Sequence, residues 1–148
     1  MSTSANAVGN IRNGRRVNAA IVAVLFFLPL GTASCGPQTF TESAYKLSSS
    51  SVSNGFGTLY YKAQPELLLV LLAAFVCAVV GPAIPGLVLW VLGGIGALIT
   101  KASVASQMNG SPLTFSTTAV LPIFIIAYLL MGVLLVLEII NRSGSRSP

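Results

Sequence analysis

Apolar residues in this chain gather into four runs separated by short polar segments. The runs cover about residues 17–33, 66–81, 84–100 and 117–140. None shows the strict alternation of a half-buried strand, and each is long enough to read as helix. The bilayer core is about 30 Å thick and needs about 20 apolar residues in a helix. The last run meets this length and favours insertion by about 4–9 kcal/mol on a translocon scale. The first carries Leu25, Phe26, Phe27 and Leu28 and favours insertion by about 3–5 kcal/mol, less the cost of Asn18. The second run is shorter, roughly 24 Å as a helix. Between the second and third runs lie Gly81, Pro82, Pro85 and Gly86, residues that break and restart helices. The pattern predicts an all-α membrane protein of four transmembrane helices, at about 17–33, 66–81, 84–100 and 117–140. Helices two and three form a tight hairpin.

The polar segments complete this picture. Residues 1–16 are rich in Ser, Asn, Ala and Gly, and read as a disordered basic tail. Residues 34–65 read as an extracytoplasmic loop of about 30 residues, with Ser48 to Ser51 and Asn54-Gly55 as turn signals. Short strands at 40–47 and 57–62 are compatible with that loop. A second polar connection, 101–116, holds Asn109, Gly110, Ser111 and Pro112. Residues 141–148 form a short polar tail.

Composition agrees with membrane residence. Apolar residues make up 54% of the 148 and charged residues only 7%, against about 25% charged in an ordinary soluble domain. So few charges cannot cover the surface of a soluble fold, whereas lipid tails solvate an apolar exterior. The net charge of +5 serves as a topology signal, and nucleic acid is not an expected partner. Arg12, Arg15, Arg16, Arg142 and Arg146 flank the terminal runs, while Lys46, Lys62 and Lys101 lie between runs. The positive-inside rule then places both termini in the cytoplasm of a multi-pass protein of the cytoplasmic membrane.

Candidate chemistry is sparse. The chain has no His, which excludes His-based zinc sites, Ser-His-Asp triads and His proton relays. Glu66, Lys101 and Glu138 stand at run ends and are expected to reach headgroups or the surface. The membrane interior is expected to hold no ionisable group, unlike that of a proton-coupled transporter. No metal, no cofactor and no enzyme activity are expected. Ala73, Cys77 and Gly81 recur every four residues on the second run. Gly86, Gly93 and Ala97 share a face of the third. Such small residues let membrane helices approach, within the chain or in a homo-oligomer. Cys35 follows small residues after an apolar stretch, as in a bacterial lipoprotein signal, but Thr32 stands where that signal wants Leu. Lipidation at Cys35, cleavage leaving three helices, and a retained first helix all remain open.

Phe26, Phe27, Leu28 and Pro29 through Ser34, Cys35 and Gly36, followed by Phe40, Tyr45, Lys46 and Leu47, resemble a group of small bacterial four-helix membrane proteins. The resemblance covers the first third of the chain. It implies topology only, since that group has no established activity to carry over. The functional expectation is a non-enzymatic accessory or interaction subunit, in contact with the lipid bilayer and a membrane protein partner. The alternative is an oligomeric pore or transport component, holin-like or channel-like.

Overall fold

A computed structural model of the chain describes residues 2–35, 37–53, 59–79, 82–109 and 114–144. Five helices and five short strands follow in the order α1 (Ser2–Phe27), β1 (Pro29–Cys35), β2 (Gln38–Ser43), α2 (Ala44–Ser49), β3 (Val52–Ser53), β4 (Leu59–Tyr61), α3 (Leu68–Val79), α4 (Ala83–Met108), β5 (Thr114–Thr117) and α5 (Val120–Gly144). A single 3-10 turn at Pro65–Leu67 leads into α3.

The architecture corrects the four-span expectation. Among the described residues, only α4 and α5 are long and apolar enough to cross a membrane. The run at 17–33 fails because Pro29 ends it. Proline disfavours helical backbone in the residue before it, and the last turn closes with Leu28 N–H donating to the Leu25 carbonyl at 3.2 Å. The chain then enters β1, so α1 keeps an apolar part of only 17–27. The second run yields α3, whose 12 residues reach about 18 Å. Residues 2–16, expected as a disordered tail, are the first half of α1.

The protein is also not all-α. Strands β2, β1 and β5 form an antiparallel sheet in that order. In its register Ala33 stands opposite Phe40 on one side and Phe115 on the other. Thr32 and Ser116 share a hydroxyl hydrogen bond of 2.9 Å across the strands. Gly31 is required here, because a Cβ at that position would lie 2.9 Å from the Ser116 carbonyl and against the Phe115 ring. The expected loop at 34–65 thus carries strands, the short helix α2 and the 3-10 turn. Ser43 caps α2 by accepting from the Lys46 N–H at 3.2 Å. Thr118 fixes the start of α5 to β1, its hydroxyl donating to the Pro29 carbonyl at 2.6 Å.

The four longer helices pack in a ring. α1 touches α5 and α3, α3 touches α4, and α4 touches α5. Val22, Phe26, Val70, Ala74 and Ala127 fill the half of the core nearer the sheet. Ala19, Ala73, Cys77, Met131 and Leu135 fill the other half. Trp90 and Tyr128 lock α4 to α5 reciprocally. The Trp90 indole N–H donates to the Tyr128 carbonyl at 2.8 Å, and the Tyr128 hydroxyl donates to the Trp90 carbonyl. Their rings stack with centroids 5.7 Å apart.

Large apolar side chains face outward along each of these helices, among them Ile21, Phe75, Ile84, Leu98, Ile126 and Ile140. Only 28% of the most apolar stretch of α4, and 22% of that of α5, is buried inside the protein. A core helix of a soluble domain would be mostly buried. Soluble monomers rarely expose contiguous apolar patches above a few hundred Å². By length, composition and exposure, α4 and α5 are therefore two helices able to cross a bilayer, which supports membrane association.

Candidate functional site: an arginine–glutamate cluster

Away from the sheet, the bundle closes around one carboxylate. On α5 the buried positions Met131 and Leu135 are followed on the same face by Glu138, which is 0% exposed. Helical spacing of three and four residues dictates this alignment. The facing stripe of α1 carries Arg12, Arg15 and Asn18, also three apart, before it continues as the buried Ala19, Val22 and Phe26. α1 thus docks with a polar stripe at one end and an apolar stripe at the other. Between them the Asn18 side-chain amide donates to the Ala127 carbonyl at 2.7 Å.

Three guanidinium groups converge on Glu138. Arg15 Nε lies 3.1 Å from Oε2, and both side chains are fully buried. Arg142, one turn on in α5, places Nη2 2.5 Å from Oε1. Arg12 Nε lies 3.5 Å from the same oxygen. The two groups sharing Oε1 are partly exposed and the one on Oε2 is not. The Arg15 guanidinium is thus held inside the bundle against the Glu138 carboxylate. Glu138 is its counter-charge.

Room for Arg15 comes from Gly86 in the first turn of α4. A Cβ there would lie 3.0 Å from Cys77 Sγ, 3.1 Å from Leu135 Cδ2 and 3.7 Å from Arg15 Nη1. Beside the cluster, an open cleft of about 170 Å³ is lined by Pro82, Ala83, Ile84, Ile139, Arg142 and Ser143. Pro82 is the N-cap of α4 and offers no side-chain hydrogen bond to its first turn.

Glu138 and Arg15 correct two expectations, that Glu138 reaches the surface and that Arg15 lies in a disordered tail. Glu138 was assigned to the surface because it ends an apolar run. It is instead buried, because α1 brings arginines to it. The helical spacing of Arg12, Arg15 and Asn18, ahead of an apolar stripe at the same spacing, was the signal in the sequence. The composition of 1–16 masked it.

The other singled-out residues are dispersed. Arg16 is exposed on α1, and Arg146 lies outside the described residues. Ala73 and Cys77 are buried in the core half nearer the cluster, and Cys77 is a free thiol. Gly81 lies outside the described residues. Gly93 is buried where a Cβ would lie 2.7 Å from the Tyr128 hydroxyl and 3.2 Å from the Val70 backbone. Ala97 packs against the core half nearer the sheet. Cys35 ends β1, its backbone opposite Gln38. Lys101 is exposed on α4. Among the described residues, no group of three His, Cys, Asp or Glu could hold a metal. Comparison with protein-family models, curated proteins and solved structures finds no match.

Proposed function

We propose that this chain is a small non-enzymatic membrane protein, carried across a cytoplasmic membrane by α4 and α5. It acts as an accessory or interaction subunit for a membrane protein partner. The observation that carries the reading is the outward apolar surface of α4 and α5, bounded at its two ends by polar structure. At one end lie the arginines. At the other lie the sheet, α2 and the Lys62 backbone, whose N–H donates to Gln107 Oε1 at 2.7 Å. The arginine end faces the cytoplasm, by the bias of basic residues to that side. The sheet end then faces outward and offers the partner a polar surface, including Thr39, Thr41, Ser49 and Ser116.

Two measurements test this. In a background with both native cysteines replaced, Ser106→Cys should react with a membrane-impermeant maleimide in intact cells. Ser143→Cys should react only after permeabilisation. Labelling of both from the same side removes the two-span reading. For the interaction, a stable partner should co-purify with the full chain and be lost when 37–53 is replaced by a Gly/Ser linker of equal length. Retention of that partner places its contact elsewhere.

A further inference from the structure

We propose that Glu66 and Thr100 form a site for a monovalent metal cation, where the turn leading into α3 meets α4. The site would exist in or out of a bilayer, so it stands apart from the partner reading above. Helix spacing builds it. Gly93, Gly96 and Thr100 follow one another at three and four residues on the buried stripe of α4. The other chain segment runs antiparallel along this stripe. A Cβ at Gly93 would lie 3.2 Å from the Val70 backbone, and one at Gly96 would lie 2.8 Å from the Glu66 carbonyl and 3.3 Å from its Cβ. Bare glycine at 96 thus lets Glu66 approach α4 one helical turn from Thr100.

Both side chains hold an oxygen that the fold leaves unsatisfied. Glu66 Oε2 and Thr100 Oγ1 are shut off from solvent, and among the described residues neither has a hydrogen-bond partner. Thr100 as a whole is 6% exposed. Neighbouring polar side chains are paired by contrast. The Gln64 amide donates to the Lys62 carbonyl at 3.0 Å, and the Gln107 amide to Ser103 Oγ at 2.8 Å. Unsatisfied buried oxygens are costly and rare, and a bound ion or water is one cause of them.

Charge decides between water and a cation. Glu66 is negative, and among the described residues neither Lys62 nor Lys101 forms an ion pair with it; both are exposed. Water would bridge the two oxygens and leave the charge uncompensated, whereas a cation satisfies all three. Oxygen donors suit hard cations, and divalent ions ordinarily collect more than one carboxylate. A single carboxylate with a hydroxyl matches one positive charge. Glu66 is only half-buried, which leaves the ion a path from the polar sheet end.

The test uses the full chain purified in dodecyl maltoside, with sodium chloride and choline chloride compared at one ionic strength. Sodium should raise the melting temperature saturably, by about 5 °C or more at a hundredfold excess over the dissociation constant. Choline, too bulky to enter between the helices, should not. Glu66→Gln should lose the rise yet melt cooperatively, at or above the parent value in choline, because it no longer buries an uncompensated charge. Thr100→Val keeps the volume and should weaken the apparent affinity about tenfold. Sodium-23 line broadening by the folded parent, lost in Glu66→Gln, reads the same site without unfolding. The proposal is overturned if sodium and choline give one melting temperature, or if Glu66→Gln keeps the rise or the broadening. An unchanged affinity in Thr100→Val equally overturns the two-residue site.

Discussion

Glu138→Gln should be among the most destabilising conservative changes in this protein. The substitution keeps shape and removes charge. Arg15 then remains fully buried with a neutral amide where it had a carboxylate oxygen at 3.1 Å. Removing one partner of a buried ion pair costs about 3–5 kcal/mol, because the remaining charge stays buried without its counter-ion. Domains are stable by only about 5–15 kcal/mol, so much of the margin would go. At about 2–4 °C per kcal/mol for this chain length, the melting temperature should fall by about 6–20 °C. The partly exposed arginines should behave differently. Arg12 lies 3.5 Å from Oε1 and is 39% exposed, so Arg12→Gln should cost at most about 1 kcal/mol. The compensated variant Glu138→Leu with Arg15→Leu removes both buried charges. It should recover most of the loss, since apolar replacement of a buried pair is often neutral or stabilising by about 1–4 kcal/mol. Equilibrium unfolding in mixed micelles of dodecyl maltoside and dodecyl sulfate measures all four proteins. If Glu138→Gln lies within about 0.5 kcal/mol of the parent, or the double variant is no better than Glu138→Gln, the pair is not buried as described.

Three further outcomes follow from helix and sheet contacts. Gly93→Ala should destabilise by about 1–3 kcal/mol through overpacking, since its Cβ would lie 3.2 Å from the Val70 backbone. Gly94→Ala should be neutral or stabilising by up to about 1 kcal/mol from helix propensity, because its nearest neighbours lie at 3.8 Å; equal effects in thermal unfolding would refute the close α3–α4 approach. Trp90→Phe and Tyr128→Phe should each cost about 1 kcal/mol for the lost hydrogen bond, and a double-mutant cycle of Trp90→Leu and Tyr128→Leu, which removes both rings, should show coupling from the stacked pair of about 0.5–1.5 kcal/mol. Gly31→Val should loosen the sheet by crowding the Phe115 ring and the Ser116 carbonyl, read as faster amide exchange across 29–35 and 114–117 with α5 unchanged.

The sequence disclosed what continuous hydrophobicity encodes. The runs at 84–100 and 117–140 point to α4 and α5, because an uninterrupted apolar stretch of that length has few other stable environments. It disclosed less wherever structure depends on a distant partner. Nothing local announces β1, since Leu30, Gly31, Thr32 and Ala33 extend the preceding apolar run. Their strand exists because β2 and β5 pair with them, the latter more than 80 residues away in sequence. The first half of α1 was hidden in the same way. Ser, Asn and Gly there are weak helix formers, and docking against α5 outweighs their propensity.

The candidate site illustrates the same limit in electrostatic form. A charge at the end of an apolar run is ordinarily read as surface, and for Lys101 the structure agrees. Glu138 has the same local context and the opposite fate. The difference lies in what meets it: Lys101 faces outward from α4, while Glu138 lies on the packed face of α5 opposite the arginine stripe of α1. The i+4 spacing of Glu138 and Arg142 was visible in the sequence but would hold on a solvated helix for only a few tenths of a kcal/mol. Arg12 and Arg15, reached across more than 120 residues of chain, turn that weak local pair into a buried cluster. A polar stripe at helical spacing that runs directly into an apolar stripe on the same face is thus a docking signal. It says that the helix buries charge as well as hydrocarbon, and that a residue of opposite sign stands on the element it meets.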